Sequence, residues 1–262
     1  MWAMLGITTS VVSLVYLIMV FVLFSLKKKN DTEENKVYKE LILLNILSII
    51  FEVILALLGN SFGVSEHLDQ VYLVIARLFV CMVFLWSSTL LYYTIIVSKK
   101  METKLVDRDK KNVKKRGLSR FYTIYSFVQI IVVFIVLNLD VDFFSSEEVK
   151  YTYGPANNFG FMLVFLCCFL MFIMVLKNWK RIKKEKAIPI LILVALIFGS
   201  TALQKANPGL LLFNFSLSFV TILMYHTIEN PDMKMIEQLE DARSQADKAN
   251  RAKTDFLSSM SH

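Results

Sequence analysis

Seven long apolar runs dominate this sequence of 262 residues. Each run is close to the ~20 mostly apolar residues that one membrane-crossing helix requires. The runs span residues 2–26, 37–59, 70–98, 119–139, 158–176, 187–203 and 209–228. The chain is 56% hydrophobic and 19% charged, against roughly 45–50% and about 25% in soluble domains. The sequence therefore predicts an all-α membrane protein whose residues 1–228 form seven transmembrane helices.

The positive charges predict how these spans are oriented. The chain has 29 Lys and Arg residues, and 26 of them lie in alternate loops and in the tail. These segments are residues 27–40, 99–120, 177–186 and the chain after residue 229. Cytoplasmic loops carry such an excess, so we expect a multi-pass protein of the plasma membrane with its N-terminus outside and its C-terminus in the cytoplasm. The net charge of +7 then reflects topology, and we expect membrane lipid but no nucleic acid as a partner.

Several other classes of function are disfavoured by what the apolar runs contain. The three cysteines, Cys81, Cys167 and Cys168, lie inside these runs without CxxC spacing or a nearby histidine, so no metal site is expected. A retinal protein needs a lysine in its last span to form the Schiff base, and the seventh run has none. The outer loops are too short to fold as independent domains, so any outside signal has to be read within the helices, by the loop of residues 151–158, or through the bilayer.

Two ionisable residues lie at membrane depth, where charges are costly and are functional candidates. Glu52 lies about seven residues from the outer end of the second run, and Arg77 about seven from the outer start of the third. Both are therefore ~10 Å below the outer surface, which predicts an ion pair. The alternative is that Arg77 extends outward on its own and Glu52 is protonated.

The same outer half of the spans is a candidate site for a signal or ligand. The residues assigned to this pocket are Glu52, Arg77, Trp86, Tyr151, Tyr153 and Asn157. The alternative for the other polar side chains of the spans is that they form hydrogen bonds between helices. That set includes Asn45, Trp86, Ser87, Ser88, Thr89, Tyr92, Tyr93, Gln129, Asn138, Asn214, Ser216 and Ser218.

After the seventh run the chain becomes polar and rich in alanine, which predicts a cytoplasmic helix. Asn230 as N-cap, Pro231 at N1 and Asp232 at N2 form a coherent helix start. Apolar residues then recur at alternating spacings of four and three, with Lys253 as one polar exception; they are Met235, Leu239, Ala242, Ala246, Ala249, Phe256 and Met260. This heptad pattern predicts a parallel dimeric coiled coil in residues 229–250. The alternative is an amphipathic juxtamembrane helix on a monomer.

The last eleven residues read Ala252-Lys-Thr-Asp-Phe-Leu-Ser-Ser-Met-Ser-His262. This run resembles the phospho-acceptor motif of sensor histidine kinases, with nine residues in register, and it predicts that residues 251–262 begin the dimerisation and phosphotransfer domain. The heptad pattern places His262 off the apolar seam, where an imidazole can attack the γ-phosphate of ATP. We therefore expect His262 to be the phospho-acceptor.

The resemblance implies the N-terminal part of a bacterial seven-span sensor histidine kinase. In that family a separate domain binds ATP and Mg²⁺, so we expect no cofactor in this chain and no activity from it alone. The implied partners are a second copy of the chain and the receiver domain of a response regulator, with an unidentified stimulus such as a peptide or a small molecule. The alternative is a non-enzymatic seven-span receptor or transporter-like protein whose cytoplasmic helix only dimerises.

Overall fold

The computed structural model describes residues 2–26, 33–59, 62–103, 108–145, 150–179, 182, 184–206, 212–229, 239 and 242–254. Its helices are α1 (Trp2–Leu26), α2 (Glu33–Leu58), α3 (Glu66–Thr103), α4 (Arg108–Asn138), α5 (Pro155–Lys177), α6 (Lys184–Ala206) and α7 (Leu212–Glu229). Two short strands, β1 (Asp142–Ser145) and β2 (Lys150–Tyr153), lie between α4 and α5. Residues 242–254 are also helical and are called the tail helix here.

The helical, membrane-embedded character that the sequence predicts is confirmed. Each of the seven apolar runs coincides with one of the helices α1 to α7. Four helical segments are long and apolar enough to cross a membrane; they are Gly6–Leu26, Glu33–Leu58, Glu66–Ser98 and Pro155–Lys177. The remaining three helices contain shorter apolar stretches, Tyr122–Asn138, Ala187–Leu203 and Leu212–His226.

The chain divides into two compact units, residues 1–223 and 224–262. In the first unit α3 is the central helix, because it packs against α2, α4 and α5, while α1 packs on α2 and α6 on α5. The contact between α3 and α5 is close at Gly160, where a methyl group in place of the glycine hydrogen would overlap Val80 Cγ1. A small residue at this position is therefore needed for the two helices to approach each other.

A short antiparallel hairpin follows α4, and the sequence does not predict it. Strands β1 and β2 pair with Asp142 opposite Tyr153 and Phe144 opposite Tyr151. The hairpin ends at Gly154, whose φ of 111° is one that residues with a side chain rarely adopt. A Cβ atom at Gly154 would also lie 3.0 Å from an Asp142 carboxylate oxygen. Glycine is thus required where the chain leaves the hairpin and enters α5.

Most of the described part of α4 presents a continuous apolar surface outward. Ile124, Phe127, Ile130 and Phe134 are all largely exposed. A contiguous exposed surface of this kind marks contact with a membrane or with another protein. These residues lie in the apolar stretch Tyr122–Asn138, where contact with lipid tails accounts for the exposure.

Candidate functional site

The buried carboxyl group of Glu52 is the most unusual polar group in the membrane-embedded unit. Glu52 is 5% exposed, and the Ser10 hydroxyl of α1 donates a hydrogen bond of 2.7 Å to its Oε2. Asn214 of α7 also lies beside this carboxyl group, although its Nδ2 does not complete a hydrogen bond. One acidic side chain therefore brings α1, α2 and α7 together.

A row of hydrogen bonds extends from this carboxyl group along α2 and α7. The Ser48 hydroxyl donates to Asn214 Oδ1 at 2.9 Å, and Asn45 Nδ2 donates to Thr221 Oγ1 at 3.0 Å. Further along, the Tyr38 hydroxyl donates to the backbone carbonyl of Thr221 at 2.7 Å. All of these side chains are buried. We call these contacts, together with Glu52, the α2–α7 polar row.

Helix geometry explains why these residues share one face. Tyr38, Asn45, Ser48 and Glu52 are separated by seven, three and four positions, which are the spacings that return to the same side of an α-helix. Numbers rise along α2 as they fall along α7 through the row, so the two helices run antiparallel. The row covers ~21 Å of α2 at ~1.5 Å per residue, much of the thickness of a bilayer core.

The membrane environment decides how much these contacts matter. In a bilayer an apolar side chain is in an equally apolar environment whether it contacts lipid or another helix. Polar contacts between helices therefore determine which helix faces pack together. Each such bond contributes ~0.6 kcal/mol on average, and several in one row fix the register of α7 on α2. Placing an ionised carboxyl group at the centre of a helix costs about 2.5–3.5 kcal/mol on insertion scales. The hydrogen bonds of the row thus stabilise the packing of α7 on α2, whereas the Glu52 carboxyl group destabilises it when ionised.

Arg77 has a different partner from the one that the sequence predicts. Its Nε donates to the backbone carbonyl of Leu139 at 2.9 Å, just beyond the last turn of α4. A cation at the C-terminal end of a helix is favourable because the unpaired carbonyls there carry partial negative charge. Within the described residues no ion pair joins Arg77 to Glu52, so that prediction is wrong. Equal depth did not produce contact because Glu52 faces Ser10 and Asn214.

The remaining residues of the predicted pocket lie in separate surroundings. Trp86 is fully buried in α3, and its indole nitrogen has no hydrogen-bond partner in the described part of the chain. Tyr151 and Tyr153 belong to β2, where their rings contact each other at a centroid distance of 6.4 Å. Asn157 lies in the first turn of α5 and donates to the Thr152 carbonyl at 2.9 Å. These contacts divide the predicted pocket residues among several local clusters.

The β1–β2 hairpin is held by aromatic and backbone contacts. The Phe143 ring stacks on Phe62 with centroids 3.9 Å apart and meets the Tyr72 ring edge-on at 5.0 Å. The Ala156 amide donates to the Asp140 carbonyl at 3.0 Å. The hairpin therefore contacts the N-terminal end of α3 and the start of α5.

A second polar group joins α3 to α4. Gln129 Nε2 donates to the Ser88 hydroxyl at 2.6 Å, and Ser88 also shares a hydrogen bond with the Tyr125 hydroxyl. The Tyr92 ring lies 5.5 Å from that of Tyr125 in a stacked arrangement. These contacts fit the alternative, raised from the sequence, that polar residues of the spans hold helices together.

Sequence reasoning missed three members of the α2–α7 polar row, Tyr38, Ser48 and Thr221, and also Ser10, which contacts Glu52 from α1. The signal was present, because Ser48 and Tyr38 lie at helical spacings from Asn45 and Glu52. Ser10 and Thr221 carry no comparable signal, since a lone serine or threonine in an apolar run is common and its direction is set by packing.

Four residues of the predicted dimer seam are described, one just before the tail helix and three within it. Leu239 is 62% exposed, and Ala242, Ala246 and Ala249 are also exposed. The other seam residues, Met235, Phe256 and Met260, lie outside the described residues. So do the predicted helix start at Asn230, Pro231 and Asp232 and the predicted phospho-acceptor His262.

The sequence matches no protein-family model and no curated protein. The functional assignment therefore rests on the chemistry of the residues and on the contacts described above.

Proposed function

We propose that this chain is the membrane sensor region of a bacterial two-component histidine kinase, followed by the helix that carries the phospho-acceptor. The observation that carries this proposal is the run from Ala252 to His262, which matches the phospho-acceptor motif of these kinases in register. In the proposed protein, a stimulus controls ATP-dependent phosphorylation of His262 and transfer of the phosphate to an aspartate of a response regulator.

The tail helix supports a dimeric coiled coil ahead of that histidine. Every residue of this helix is exposed. Leu239, the preceding seam residue in the heptad pattern, is exposed as well. A largely exposed leucine in line with three alanines at alternating spacings leaves an apolar stripe that a second copy of the chain can cover. Small alanine side chains make this seam weak, which suits an element that shifts between two states.

The membrane-embedded unit supports a seven-span sensor. The four long apolar helices and the three shorter ones alternate with loops in which the positive charges fall on one side. With all seven crossing the membrane, the N-terminus is outside and the tail is in the cytoplasm. Helix α7 is then the last span, and the chain continues from it toward the coiled coil.

The α2–α7 polar row supplies a route from the sensor to the output. A stimulus that changes the hydrogen bonds on α2 alters the tilt, rotation or height of α7, because these bonds fix the register between the two helices. Movement of α7 passes along the chain to the coiled coil and changes whether an ATP-binding domain reaches His262. In this mechanism the stimulus shifts the population of two existing states.

The assignment is tested by phosphate incorporation into the protein produced from the complete gene in membrane vesicles. With γ-labelled ATP, we expect acid-labile phosphate that is lost in the His262→Gln variant. His226→Gln is the matched control, because His226 lies in α7, and it is expected to keep the label. Label that persists in His262→Gln would overturn His262 as the phospho-acceptor, and a wild-type protein that dimerises without taking up phosphate would support the non-enzymatic receptor instead.

A further inference from the structure

The surroundings of Glu52 point to a specific ligand. The carboxyl group has no charged side chain acting on it among the described residues; the polar groups beside it are Ser10 from α1 and Asn214 from α7. Helix α3, which also packs on α2, carries Arg77 and Tyr72 at its outer end. Arg77 bonds to the Leu139 carbonyl, and the Tyr72 ring packs on Phe62 and Phe143. A buried carboxylate without a counter-ion is most simply neutralised by a proton.

Asn214 is placed to respond to that proton. Its side chain is fully buried, and its Nδ2 is without a hydrogen-bond partner in the described part of the chain although the Glu52 carboxyl group lies beside it. Its Oδ1 accepts from Ser48 at 2.9 Å. The Asn214 amide therefore has a hydrogen bond at its oxygen and none at its nitrogen. Among the groups of the polar row, it is the one that a rearrangement would stabilise most by adding a hydrogen bond.

The donor and acceptor pattern distinguishes two states of this cluster. An ionised carboxyl group only accepts, so Asn214 Nδ2 turns toward Glu52 while Asn214 Oδ1 accepts from Ser48. A protonated carboxyl group gains an O–H donor, and Asn214 Oδ1 accepts from it when the amide turns over and its nitrogen donates to the Ser48 oxygen. The same three side chains therefore offer each state its own hydrogen-bond pattern, and turning over the Asn214 amide exchanges one pattern for the other. Because Asn214 belongs to α7, the exchange acts on the helix that continues into the tail.

We propose that Glu52 is the proton-binding site of the membrane-embedded unit and that Asn214 transmits its protonation to α7. This inference concerns the helices alone and does not depend on the kinase assignment. Proton uptake at Glu52 weakens the present contacts of Asn214 and forms new ones, so α7 has a different preferred position on α2 in each state. The unit therefore responds to protons that reach the outer half of the membrane.

The test uses the 262-residue chain in lipid nanodiscs and two readouts taken across a pH titration. Infrared difference spectroscopy detects protonation of a buried carboxyl group through its carbonyl band. Spin labels at the exposed positions Leu43 of α2 and Phe219 of α7 report the distance between these helices. We expect a buried carboxyl band from Glu52 that titrates, distinct from any band of Glu34, which is also buried, together with a change in the distance distribution at the same midpoint.

The variants separate the proton site from its coupling. Glu52→Gln is expected to abolish both the band and the distance change, whereas Glu40→Gln, on the exposed side of the same helix, keeps both. Asn214→Leu is expected to keep the band and lose the distance change. Glu52→Asp retains a carboxyl group and is expected to shift the midpoint, which gives a second reading if Glu52→Gln folds poorly. A titrating carboxyl spectrum that Glu52→Gln leaves unchanged overturns the proton site, and a distance change that survives in Asn214→Leu overturns the coupling.

Discussion

The Ser10 hydroxyl of α1 donates a hydrogen bond of 2.7 Å to the Glu52 carboxyl group of α2. The two residues are 42 positions apart in the chain, and both are buried. This contact joins the first helix to the start of the α2–α7 polar row, so helix α1 contacts the buried acidic group of that row directly.

Removing the Ser10 hydroxyl is expected to destabilise the membrane-embedded unit. Ser10→Ala deprives a buried carboxyl group of its donor, which costs ~1–2 kcal/mol of unfolding free energy. Thr9→Ala is the matched control, because the Thr9 hydroxyl bonds to the Gly6 carbonyl in its own helix. Unfolding by detergent titration in bicelles measures both variants. Equal stability of the two would show that the contact with Glu52 contributes nothing.

Glu52 and Arg77 are expected to act independently. Because each has its own partner, a double-mutant cycle with Glu52→Gln and Arg77→Gln should show a coupling energy below ~0.5 kcal/mol. Breaking a buried ion pair costs about 3–5 kcal/mol. A strong coupling energy would therefore contradict their independence and support the ion pair that the sequence suggests. The measurement is the unfolding free energy of the wild type, the two single variants and the double variant.

The close approach of α3 and α5 predicts that Gly160 tolerates no side chain. Gly160→Ala places a methyl group against Val80 Cγ1 and should lower the unfolding free energy by ~1–3 kcal/mol. Combining it with Val80→Ala opens space and is expected to recover part of the loss. Gly199→Ala is the control, because a Cβ there meets nothing within 4 Å. Equal effects at the two glycines would contradict the packing described for α3 and α5.

The coiled-coil proposal predicts which tail positions face a second chain. Cysteines placed at Ala242 or Ala249, on the seam, should form disulfides between two copies of the chain in membranes. A cysteine at Ser244, which lies on the opposite side in the heptad pattern, should not. All three positions are exposed in the single chain, so accessibility does not separate them. Non-reducing gels give the result, and a monomer would show no crosslink at any position.

The helices were predictable from the sequence because hydrophobic length alone identifies them. All seven apolar runs became helices, and most of the Lys and Arg residues lie between them or in the tail. The hairpin of β1 and β2 was not predicted, since its strands have four residues each and lie in a short acidic loop. Their aromatic residues, Phe143, Phe144, Tyr151 and Tyr153, are the signal that favours strands there.

The direction in which a polar side chain points was harder to predict than its depth. Counting residues placed Glu52 and Arg77 at similar depth, but contact also requires the two helix faces to meet. The positions of Asn45 and Ser48 on the same face as Glu52 fix that face, and this face is the one that contacts α7. Single polar residues such as Ser10 become recognisable only once the packing of the helices is known.

The central claim is that the membrane helices control phosphorylation of His262 through α7. Its most direct test is the amount of acid-labile phosphate on His262 in the protein from the complete gene, with Asn214→Leu compared with the wild type at a fixed concentration of ATP. Loss of the Asn214 contacts should change the phosphate level about fivefold or more, the lower bound of typical coupling between sites. Phe215→Leu, at an exposed neighbouring position of α7, should leave it unchanged. Equal phosphate in Asn214→Leu and the wild type would contradict the claim.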